Sequence, residues 1–67
     1  MEAYQERVIT EQKELAEKIV KLTTFITDQE KVLALSDFEW MILCEQLEVM
    51  LEYHKVLIVR IIKFNEG

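Results

Sequence analysis

Sixty-seven residues carrying a net charge of −5 allow one small folding unit, 1–67, and that surface repels duplex nucleic acid. One cysteine (Cys44) and one histidine (His54) exclude an intramolecular disulfide and argue against a structural zinc site, the usual supports of so short a chain. With no proline and a single glycine, 51% hydrophobic and 31% charged residues, the composition points to an all-α protein stabilised by partner chains, without a cofactor and without an enzymatic function.

The first predicted element is a helix over about 2–26. Tyr4, Val8, Leu15, Ile19, Leu22 and Ile26 recur at helical intervals and mark one apolar face. Glu14–Lys18 and Glu17–Lys21 have the spacing of intrahelical ion pairs. Met1 to Gln12 is charged and has no apolar stretch, so no signal peptide is expected. A short helical turn follows at about 28–34, for which Thr27 and Glu30 have the spacing of a capping box. Ser36 and Glu39 form a second box, with Leu35 and Trp40 placed as a hydrophobic staple. A second helix is therefore predicted over about 37–64. The greasiest run, Val56 to Phe64, is interrupted by Arg60 and Lys63 and falls short of the roughly 20 residues of a membrane span. Cys44 lies in an apolar run, as suits a buried thiol in a reducing cytoplasm.

The two helices match in length at about 37 and 42 Å, which favours an antiparallel hairpin. Facing residues of such a pair keep a constant sum of numbers. Leu22 with Leu43, Leu15 with Met50, Val8 with Leu57 and Met1 with Phe64 all sum to 65, one seam from end to end. The seam leaves much apolar surface over, because 18 of the 27 residues from Phe38 to Phe64 are hydrophobic. Met41, Cys44, Leu51, Ile58 and Ile62 form a second stripe, Ile42, Val49 and Val56 a third, and Ile9, Ala16 and Val20 an extra one on the first helix. Soluble monomers rarely expose so much. The expected assembly is a homo-oligomeric helical bundle, a dimer at minimum, with a tetramer or larger within reach of the third stripe.

Catalytic chemistry finds little support. His54 has no neighbouring nucleophile, and Glu45, Glu48, Glu52 and Lys55 share one solvated face. One constellation stands out. Gln46, Tyr53 and Arg60 recur every seven residues, and the seam brings Tyr4 and Arg7 towards Arg60 and Lys63. Guanidinium forks suit phosphates and tyrosine rings stack on bases, so Tyr4, Arg7, Tyr53, Arg60 and Lys63 are the candidate ligand-binding residues. The competing reading pairs Arg7 with Glu11 or Glu6 and leaves Arg60 reaching for solvent.

Tyr4-Gln5-Glu6-Arg7-Val8, then Glu11, Leu15, Lys18-Ile19, Lys21-Leu22 and Phe25-Ile26, resembles the opening of a family of very short phage and prophage helical proteins, including ones from crAss-like phages. Leu35, Glu39, Leu43, Gln46-Leu47, Met50, Tyr53, Leu57, Arg60-Ile61 and Phe64 continue the resemblance through the second half. It implies a cytoplasmic anti-defence "sponge" that binds cyclic oligonucleotide signals of systems such as CBASS without degrading them. A homo-oligomer would suit such a ligand, since a dyad presents each residue twice to a molecule of twofold symmetry. The alternative is an oligomeric interaction module that docks on and inhibits a host protein.

Overall fold

The computed structural model describes residues 1–66, and among these every regular element is helical. Helix α1 spans Ala3–Ile26, the short α2 spans Gln29–Val32, and α3 spans Asp37–Asn65, each within a residue or two of the predicted bounds. The chain is a rod measuring 48 × 15 × 14 Å.

Local chemistry sets the ends. Glu2 caps α1, and its backbone N–H donates to the Gln5 side-chain oxygen at 3.0 Å. At the start of α3 the Glu39 N–H donates to Ser36 Oγ at 3.1 Å while Ser36 N–H donates to the Glu39 carboxylate at 3.3 Å, the reciprocal box that the spacing predicts. Ser36→Ala removes one partner and leaves the first turn of a 29-residue helix with an unmatched donor. It is expected to cost about 0.5–2 kcal/mol, read as a lower midpoint in thermal or urea unfolding.

The predicted cap at Thr27 is corrected. Asp28 caps α2 instead, accepting from the N–H groups of Glu30 and Lys31 through one carboxylate oxygen. Thr27 turns the other way and donates its hydroxyl to the Thr23 carbonyl at 2.7 Å, closing the end of α1. A charged acceptor at the helix N-terminus outcompetes the neighbouring hydroxyl.

Helices α1 and α3 pack side by side in opposite directions. Tyr4 meets Phe64 edge to face at 5.7 Å, Gln12 meets His54, and the Trp40 indole N–H donates to the Ile26 carbonyl at 3.5 Å. These contacts run from one end of the rod to the other. The seam along α3 is a heptad row, with positions 43, 47, 50, 54, 57, 61 and 64 buried or half-buried. Its centre is Val8, Leu15 and Leu57, bordered by Ile19, Met50, Ile61 and Phe64. Val8, Leu57, Leu15 and Met50 of the predicted pairs all lie in this cluster. Met1 does not. It lies outside α1 and is 74% exposed, so Tyr4 rather than Met1 covers Phe64.

Beyond the seam the chain is open. Met41, Ile42, Val49, Leu51, Val56, Ile58, Val59 and Ile62 are all exposed on α3, as is Val20 on α1. Among the described residues no helix is long and apolar enough to cross a membrane.

Candidate functional site

Two polar contacts orient the edges of the rod. Residues 11 and 12 flank the buried Val8–Leu15 row on opposite sides, because they stand three and four residues from each of its members. On one edge the Tyr53 hydroxyl donates to the Glu11 carboxylate. On the other, Gln12 and His54 meet through their Nε2 atoms at 3.0 Å. With the amide nitrogen donating, the imidazole Nε2 is the acceptor of this contact. This satisfied, part-buried histidine is a structural element of the seam.

Steps of seven extend the first edge. Glu11 leads to Tyr4 and Lys18, and Tyr53 leads to Gln46 and Arg60, with Arg7 and Lys21 one helical step outside. Arg7, Lys18, Lys21 and Arg60 are four of the chain's eight cationic side chains, and both of its tyrosines accompany them. The opposite edge is apolar beyond Gln12 and His54, where Ile9, Ala16 and Val20 of α1 and Cys44, Leu51 and Ile58 of α3 continue the surface.

The sequence-predicted residues are placed unequally on this edge. Tyr4 is half-exposed and packed on Phe64, so its ring is positioned but partly used. Tyr53 is held by Glu11, whose hydrogen bond is the main reason that its hydroxyl titrates above the usual value; desolvation and the Glu11 charge add to this, and Arg60 opposes it. That opposing influence puts the Arg60 guanidinium within electrostatic reach of Tyr53. Arg7 lines a groove of about 380 Å³ on α1 with Glu6, Glu11 and Glu14. Three carboxylates around one guanidinium make that groove hostile to phosphate. Lys63 sits at the far end of α3 and pairs with Glu66 at 3.2 Å. Tyr53 and Arg60 thus share one stretch of the edge, whereas Lys63 is paired with Glu66, and Arg7, which closes no ion pair within 4.0 Å among the described residues, shares its groove with three carboxylates.

A second groove, of about 530 Å³, opens between the helices and is lined by Leu15, Lys18, Lys21, Leu22, Gln46 and Met50. Sequence reasoning noted Gln46 as a heptad neighbour of Tyr53 but assigned Lys18 and Lys21 to intrahelical pairs with Glu14 and Glu17. Those pairs are not closed. Among the described residues the ion pairs within 4.0 Å are Lys31–Asp28 and Lys63–Glu66. The signal that could have found the lysines was the seven-residue step from Glu11 to Lys18.

A family model described as Sequestin matches residues 2–63, from the cap of α1 to the last turn of α3. The chain belongs to the Sequestin family. The match takes in the seam except for Phe64 at its end, and the family's name suggests a sequestering function. No curated protein and no solved structure matches the chain. For a Sequestin chain the surfaces of interest are those that could hold another molecule, and the polar edge is the one that gathers cations, aromatic rings and an amide.

Proposed function

We propose that this chain is a non-enzymatic phage protein of the host cytoplasm that binds and sequesters cyclic oligonucleotide immune signals, in the manner of an anti-CBASS sponge. The two-helix hairpin assembles as a homo-oligomeric bundle through its apolar surfaces, and the ligand lies against the polar edge where copies meet. The observation that carries the reading is that edge. An acidic chain of net charge −5 places Arg7, Lys18, Lys21 and Arg60 along one side together with Tyr4 and Tyr53. Cations answer the phosphates of a cyclic oligonucleotide, and tyrosine faces answer its bases. Of the residues assigned to ligand contact, Tyr4, Arg7, Tyr53, Arg60 and Lys63, Tyr53 and Arg60 are the best placed, and the acidic neighbours of Arg7 and Lys63 weigh against a phosphate at those two. Sequestration needs affinity and no catalytic group, which suits an edge built from binding residues alone.

Calorimetry and native mass spectrometry with cyclic di-GMP, cyclic di-AMP, cyclic GMP–AMP and cyclic triadenylate test the proposal. Saturable binding of at least one at micromolar concentration or tighter, with the nucleotide recovered intact, is the expected result. Failure of all four to bind removes it.

One observation favours a second reading. Ile42, Val49 and Val56 form an exposed apolar row beside the Gln46–Tyr53–Arg60 row. An oligomer that leaves this row open would offer it to a host protein. A host complex that survives nuclease and phosphodiesterase treatment would support inhibition by docking over sequestration of a nucleotide.

A further inference from the structure

The polar edge holds two grooves of opposite electrostatic character, and an anion would meet them differently. Around Arg7 the lining includes Glu6, Glu11 and Glu14. Between the helices the lining has two lysines, one amide, three apolar side chains and no carboxylate. In a chain with thirteen acidic residues, a surface concavity whose charged lining residues are both cations is a place where an anion meets little repulsion.

The groups in the second groove are also available. Lys18 and Lys21 are exposed and close no ion pair within 4.0 Å among the described residues, although Glu14 and Glu17 stand one turn away on the same helix. The Gln46 side-chain N–H rests on Met50 Sδ at 3.8 Å, a weak acceptor that a phosphate or base oxygen would readily replace. Beneath these polar groups, Leu15, Leu22 and Met50 give an apolar floor. This is the pattern of a site for an amphipathic anion, with an apolar surface to fix the body and a few converging polar groups to fix the charge.

We propose that the interhelical groove is the phosphate-binding subsite of the chain: Lys18 and Lys21 hold a phosphodiester of the ligand, Gln46 donates to it or to the adjoining base, and Leu15, Leu22 and Met50 receive the base or ribose. The proposal rests on the sequestering reading and assigns its phosphate to α1 lysines rather than to Arg7. The row that continues through Tyr53 to Arg60 leaves those two residues to the remainder of the ligand.

The test uses the full chain and whichever of the four cyclic nucleotides binds it. Lys18→Ala/Lys21→Ala is compared with Lys13→Ala/Lys31→Ala, which changes net charge equally but touches neither groove. Both lysines of the first pair are exposed, so helicity by circular dichroism should match wild type. The expected result is about a tenfold or greater loss of affinity per groove lysine, little change in the control pair, and recovery of most of the loss in Lys18→Arg/Lys21→Arg. Equal affinities for the two alanine pairs would overturn the groove assignment while leaving sequestration intact. If wild type binds none of the four nucleotides, the groove assignment falls together with the reading it rests on.

Discussion

Leu57→Ala is expected to destabilise the chain by about 2–5 kcal/mol, the largest effect of any single truncation in the seam. Leu57 is 0% exposed, the only fully enclosed side chain among the described residues. It sits against Val8 and Leu15 with Met50, Ile61 and Phe64 around it, so removal of its three terminal carbons leaves a void walled by both helices. A 67-residue unit has on the order of 3–10 kcal/mol of stability in total, and the loss is a large part of that. The cap at Ser36 and the contacts at Trp40 bind the ends of the helices but cannot replace the centre of the seam. Urea unfolding followed by circular dichroism reads the effect, with Glu52→Ala on the exposed side of α3 as the comparison, expected to stay within about 0.5 kcal/mol. An unfolding midpoint for Leu57→Ala equal to that of wild type would show that the seam described here does not hold the helices together.

The same residue shows how much of the fold could be read from the sequence. That Val8, Leu15, Met50 and Leu57 meet in one cluster follows from heptad spacing in two helices of matched length, whose apolar faces must cover each other. The spacing misleads at the ends. Met1 falls on the arithmetic but outside α1, where helical periodicity no longer determines direction. At Thr27 and Asp28 two capping residues stand side by side, and the charged acceptor took the N-terminus of α2 while the hydroxyl closed α1. For the candidate site the legible part was the Gln46–Tyr53–Arg60 row. What spacing could not show was competition. Glu11 takes the Tyr53 hydroxyl from 42 positions away, Arg7 is hemmed in by carboxylates of its own helix, and Lys18 and Lys21 line the groove rather than pairing with Glu14 and Glu17. A long charged side chain has several partners within reach, and the sequence states only the nearest of them along the chain.

Leu51→Glu is expected to convert the proposed oligomer to 8.0 kDa monomers in sedimentation equilibrium while leaving the α1–α3 seam in place. Leu51 is 49% exposed in the single chain and lies on the edge opposite the tyrosines, where Val20, Ile9 and Ala16 extend the apolar surface across both helices. A glutamate there is solvated when the chain is alone and desolvated without a partner when two such edges meet. Burial of that charge costs several kcal/mol, more than the roughly 1.5–3 kcal/mol that full burial of a leucine contributes. Val49→Glu distinguishes the assemblies that remain. Val49 is 63% exposed and belongs to the row on the other side of the seam, which a dimer formed through the Leu51 edge does not cover. In a tetramer or larger bundle that buries both rows, Val49→Glu should stop assembly at the dimer; in a simple dimer it should change nothing. A wild-type chain that sediments as a monomer at micromolar concentration would remove the bundle altogether. With the bundle would go the shared edge at which the proposed ligand is held, and the sequestering reading that depends on it.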